Sequence, residues 1–128
     1  MGKCSSLILH CMDYRLQTAV DDWIRENKLN DDIDRIAIGG PCKDIELAMK
    51  FIKICIEKHG VRKVFLTQHD DCAGYGGHEA FTSLEIEREK MIGDMYAVKT
   101  AINENYPQVK VTTLLLQQEG ENWTLVKV

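Results

Sequence analysis

Short apolar runs alternate with stretches of helical periodicity from one end of this chain to the other. That alternation confines the fold to strands connected by helices. Ser5–Cys11 holds the first apolar run, Leu7-Ile8-Leu9, and reads as a strand. Leu16, Ala19, Val20, Trp23 and Ile24 then fall on one face of a helix, and Asn27, Asn30 and Asp31-Asp32 mark a loop. Arg35–Ile38 reads as a second strand closed by Gly39-Gly40-Pro41. Asp44 is placed to cap a second helix with Glu46 in its first turn. Ile45, Met49, Ile52 and Ile56 are that helix's expected buried face, and Gly60 is its stop. Lys63–Thr67 is a third strand, running into Gln68-His69-Asp70-Asp71-Cys72 and a loop with Gly74, Gly76 and Gly77. A long helix is expected between Ser83 and Asn105, ended before Pro107, with Glu87, Met91, Val98 and Ile102 at helical spacings. Val109–Leu116 is the fourth strand. Asn122–Val128 is the last, turned back through Glu119-Gly120-Glu121.

Repeated strand–helix–strand units give right-handed crossovers and a mainly parallel sheet. The expected fold class is therefore α/β: a mainly parallel open sheet flanked by helices, with the order 2-1-3-4, common at this size, and an edge hairpin strand. A chain of 128 residues has the size of one domain, and no repeat or linker divides it, so a single domain over residues 1–128 is expected. The net charge of −4 argues against a nucleic-acid partner. The longest apolar runs, such as Leu114-Leu115-Leu116, fall far short of the ~18 residues of a membrane span. Met1-Gly2 with Ser6 and Cys4 matches a lipidation pattern, but a strand from Ser5 leaves little free arm to modify. Five cysteines, an odd count without a secretion signal, read as thiols, ligands or core residues of a cytoplasmic protein.

Open α/β sheets bind ligands beyond the carboxyl ends of their strands, where the strand order reverses. In the order 2-1-3-4 the first and third strands are neighbours. Cys11 ends the first, and His69 and Cys72 follow the third. Two distant segments thus deliver sulfur, nitrogen and sulfur to one crevice, a donor set suited to a zinc ion with an open fourth position. A water held there loses a proton near neutral pH. Asp13 and Arg15 follow Cys11 at alternate positions. An Asp paired to Arg stays ionised and acts as a hydrogen-bond acceptor, so Asp13 can orient the zinc-bound group while Arg15 holds Asp13. The plainer reading has Asp13 capping the next helix and Arg15 in solvent. Cys4 lies near the opposite end of the first strand and is not expected to reach the zinc.

Cys11-x-Asp13-x-Arg15 followed by His69-x-x-Cys72 resembles the paired signature of β-class carbonic anhydrases. The resemblance runs through the first strand, the glycine turn after the second, the His-x-x-Cys loop and the closing hairpin. It implies zinc on Cys11, His69 and Cys72, an orienting dyad of Asp13 and Arg15, and interconversion of carbon dioxide with bicarbonate. It also implies a homodimer or higher homo-oligomer. Relatives of that family act on carbon disulfide or carbonyl sulfide with the same zinc set, and a non-catalytic zinc-binding protein of this family is a further alternative. The chain departs from the family at Ile38-Gly39-Gly40-Pro41, where an Arg-Asn-Ala-Gly segment is usual, and at Gln68 and Ala73, where glycines are usual. Its first strand begins almost at residue 1, so the N-terminal helices of other members, and their substrate-binding Gln, are not expected here.

The remaining polar and reactive residues are expected to be ordinary. Cys42 and Cys55 read as core thiols, Asp70 and Asp71 as loop charges, and Trp23 as a core side chain. His10, His59 and His78 read as structural histidines, with His78 a possible proton carrier. No Cys-x-x-Cys, Walker A or dinucleotide fingerprint is present.

Overall fold

The computed structural model describes residues 1–128. A five-stranded sheet of order β2-β1-β3-β4-β5 forms its centre. The strands are β1 (Ser6–Cys11), β2 (Ile33–Ile38), β3 (Lys63–His69), β4 (Lys110–Glu119) and β5 (Asn122–Lys127). The first four run parallel and β5 pairs antiparallel to β4, as the edge hairpin requires. Gly120 turns that hairpin at φ 61°, a value that favours glycine.

Helices α1 (Gln17–Glu26), α2 (Ile45–His59) and α3 (Leu84–Asn105) cover the sheet. Leu7, Leu9, Val64, Leu66 and Leu115 meet Ile52, Ile56, Met91, Met95, Val98 and Ile102 of α2 and α3 on one face. Ile8 and Leu116 meet Leu16, Val20 and Ile24 on the other. Every residue of β1 is buried, as a central strand covered on both faces must be.

Three helix starts follow the side-chain capping rule. Asp13 Oδ1 accepts from the backbone N of Arg15 ahead of the 3₁₀ turn Tyr14–Leu16. Asp44 Oδ1 accepts from Leu47 N at 3.1 Å, and Ser83 Oγ from Ile86 N at 3.1 Å. Gly60 ends α2 at φ 69°.

The strands run longer than their apolar runs. β3 continues through Gln68 and His69, β4 continues to Glu119, and β2 starts at Ile33. Neighbouring strands supply backbone partners there, which polar side chains do not forbid. The buried face of α2 also differs from expectation. Ala48, Ile52, Cys55 and Ile56 are buried, Met49 is partly so, and Ile45 is exposed. Ile45, Leu47, Phe51 and Ile54 form an exposed apolar stretch, so apolar residues surround this helix and its periodicity could not single out one face.

Candidate metal centre

Parallel register puts Cys11 at the end of β1 and His69 at the end of β3, on the neighbouring strand. Cys72 follows three residues on and opens the 3₁₀ turn Ala73–Tyr75. All three side chains are buried. The two sulfurs stand 4.0 Å apart, and the three donor atoms all lie within 4.8 Å of one another.

His69 is tuned for this position. Its Nδ1 lies 2.6 Å from the carbonyl of Asp70, a contact that fixes the tautomer with a proton on Nδ1. Nε2 keeps the lone pair and is the single buried side-chain nitrogen or oxygen without a hydrogen-bond partner. A buried lone pair left free beside two thiols fits a tetrahedral metal of the zinc class. The contact between the two sulfurs pulls Cys11 far below the usual thiol range and, with burial, pushes Cys72 up. The backbone N–H groups of Gly74 and Gly40 act on the Cys72 sulfur in the opposite direction, favouring a thiolate.

Asp13 does not join this cluster, because its carboxylate is turned to Arg15. The Arg15 backbone N reaches Oδ1 at 2.9 Å, Nε reaches both oxygens at 3.1 Å, and Nη2 reaches Oδ2 at 2.7 Å. Arg15 thereby holds the Asp13 carboxyl below its ordinary range. Asp13 thus caps the turn and pairs with Arg15 at once.

The other half of Arg15 reaches a residue expected to be a plain loop charge. Nη1 donates to Asp71 Oδ2 at 3.1 Å and Nη2 to the Asp71 carbonyl at 2.9 Å. Asp71 Oδ1 accepts from His78 N at 2.8 Å, and Asp71 N donates to Glu87 Oε2 at 2.7 Å. The Arg15 guanidinium also lies 5.3 Å from the Trp123 ring centre on β5, and His69 packs edge-on against the same indole at 5.8 Å. Asp71 and Trp123 thus belong to the surroundings of the centre. The one local signal was Asp71's place inside His-x-x-Cys, where it takes φ 57°.

Asp70, also expected to be a loop charge, is buried. It receives Arg88 Nε at 2.9 Å, Arg88 Nη2 at 2.7 Å and Gln118 N at 3.0 Å. Burial pushes its carboxyl up, but these bonds outweigh burial and leave it below the ordinary value.

One departure from the expected family pattern has a clear physical role. Gln68 stands where a glycine is usual. Its Oε1 accepts from Cys42 N at 3.1 Å and its Nε2 donates to Tyr75 Oη at 2.6 Å, tying the loop after β2 to the loop after β3. Those loops cross at Gly74, where an added Cβ would sit 2.8 Å from Gly40 N. Cys42 and Cys55 are buried as expected, and Trp23 packs edge-on against Phe65 at 4.7 Å. His10 is buried against Cys11 O and Arg35, a structural histidine.

A broad cleft of about 740 Å³ opens over the centre, bordered by Cys11, Asp13, Arg15, Gly39, Asp71 and Gly74 among others. It is wider than the small apolar pocket a triatomic gas would need.

Known proteins carry the same architecture. A carbonic anhydrase from Glaciozyma antarctica superposes with a TM-score of 0.66 at 21% identity, covering 99% of this chain and 83% of its own. A β-carbonic anhydrase of Aspergillus fumigatus superposes with a TM-score of 0.60 at 11% identity, covering 98% and 91%. These likenesses establish the fold. An uncharacterized protein of Rickettsia bellii is 25% identical over 94% of this chain and 80% of its own length. The family described as "Putative carbonic anhydrase" matches residues 1–128, the whole of the chain. The chain therefore belongs to that carbonic anhydrase family, on a fold shared with the β-class enzymes.

Proposed function

We propose that this protein is a zinc-dependent carbonate dehydratase, converting carbon dioxide and water reversibly to bicarbonate and a proton. Cys11, His69 and Cys72 would hold the zinc, and Asp13 and Arg15 are the catalytic dyad. The observation that carries the reading is the free Nε2 of buried His69 beside two buried thiols. Zinc bound there would carry a water in its fourth position and lower that water's pKa toward neutrality.

This chain's own residues do the rest. A carboxylate offers about four acceptor sites, and the backbone N, Nε and Nη2 of Arg15 take most of them on Asp13. What remains accepts a hydrogen bond from the attacking oxygen and aims its lone pair at carbon. Asp13 stays ionised and cannot donate in that bond, so the dyad selects an attacking group that has a proton to give. Asp71 and Trp123 hold the far side of the Arg15 guanidinium and keep the dyad in register.

We place the protein in the cytoplasm, as free thiols at all five cysteines suggest. No helix is long and apolar enough to cross a membrane. A homodimer or higher homo-oligomer is supported by the exposed Met12 and Tyr14 at the cleft and by the apolar stretch of α2. Solved relatives from Sordaria macrospora, superposing with a TM-score of 0.57, are described as tetrameric β-carbonic anhydrases.

The test is a side-by-side assay of zinc-loaded protein against carbon dioxide, carbon disulfide and carbonyl sulfide. Hydration of carbon dioxide with little sulfide release is the expected result. Sulfide release without hydration would move the assignment to the sulfur analogues. Inertness toward all three would make the centre a binding site.

A further inference from the structure

A second set of donors meets at the opposite end of the sheet. Cys4 precedes β1, Asp34 pairs in register with Leu7 from β2, and His59 is the last residue of α2. One donor atom from each lies within 4.8 Å of the other two. Asp34 Oδ2 and His59 Nδ1 are 2.7 Å apart. The backbone fixes the meeting: Cys4 N donates to His59 O at 3.1 Å, and Lys3 Nζ reaches Lys58 O at 3.3 Å. Gly60 ends α2 directly after His59.

We propose that Cys4, Asp34 and His59 form a second metal site, for a divalent cation of the zinc class. Sulfur, imidazole and carboxylate together match the ligand preferences of zinc and exclude the oxygen-only chemistry of calcium or magnesium. An ion pair between His59 and Asp34 accounts for two of the groups, and the adjacent thiol is engaged only by the Ser6 carbonyl at 3.5 Å. A thiolate and a carboxylate side by side repel each other, and a dication between them reverses that sign. Ligand atoms of a tetrahedral zinc stand about 3.3–3.8 Å apart. The present cluster lies within small side-chain rotations of that geometry, and all three residues are half-buried, so a cation can enter from solvent. Cys4 and Cys11 are separated by the length of β1, roughly 20 Å, so the two sites hold separate ions. A metal here would staple the start of the chain to β2 and to the end of α2.

Metal-stripped full-length protein is titrated with zinc, and separately with cobalt, and bound equivalents are counted by equilibrium dialysis. The wild type takes two equivalents. Cys4→Ser and His59→Ala each take one, lose the matching part of the thiolate-to-cobalt charge-transfer band, and lose the rise in Tm that the second equivalent brings. Cys72→Ala also takes one equivalent, but from the other centre, so failure at either site is recognised separately. Circular dichroism confirms that each variant is folded, and Asp34→Asn provides a third, near-isosteric check. A wild type that takes only the equivalent removed by Cys72→Ala overturns the proposal. So does retention of both equivalents in Cys4→Ser and His59→Ala.

Discussion

Asp13 sits at the junction of two roles, since the oxygen that caps the Tyr14–Leu16 turn also receives the Arg15 side chain. Asp13→Asn keeps the shape but exchanges an acceptor for an amide. Carbon dioxide hydration is expected to fall by about a hundredfold or more, with zinc content unchanged, as stopped-flow and metal analysis would read. An unaltered rate would remove Asp13 from the mechanism. Cys72→Ala deletes a ligand outright, and dialysed protein should lose the zinc of that centre. That Cys11, His69 and Cys72 would meet was legible in the sequence, because their spacing put them at the ends of neighbouring strands, with Asp13 and Arg15 next in line. Asp71 and Trp123 were not legible. An aspartate among loop charges and a tryptophan on an edge strand gain their meaning only when the Arg15 guanidinium arrives between them.

At the scale of the element, two loops hold the centre in shape. They cross at Gly74 and Gly40 and are tied by Gln68. Gly74→Ala should push the loops apart and weaken zinc binding about tenfold or more, measured by competition with a chelator. Unchanged affinity would show that the crossing does not position Cys72. Asp70→Asn breaks the pairing of a buried carboxylate with Arg88 and unsettles the carbonyl that orients His69. A loss of about 3 kcal/mol in chemical denaturation is expected, and a change below ~0.5 kcal/mol would contradict this account. Strand ends and the α2 face were the poorly legible parts. Strand ends are set by the neighbouring strand's backbone, which local pattern does not contain. On α2, Ile45 and Ile54 are as apolar as Ile52, and only the arrival of the sheet decides which turn inward.

At the scale of the molecule, the parallel α/β class followed from short apolar runs and helical crossovers, while the order of the strands was expected only as one common at this size. That order makes β1 and β3 neighbours and so builds the centre from segments far apart in sequence. Assembly was less legible, because an exposed apolar residue reads in sequence like a buried one. The exposed apolar stretch of α2 suits an interface with a second copy. Sedimentation velocity should show a dimer or larger species at micromolar concentration, and a strictly monomeric protein would contradict the assembly.

The most direct measurement is stopped-flow carbon dioxide hydration on metal-stripped protein as zinc is restored, alongside Cys72→Ala treated identically. This account predicts that zinc restores fast hydration in the wild type and none above buffer in the variant. Zinc-loaded wild type that hydrates carbon dioxide no faster than buffer would contradict it.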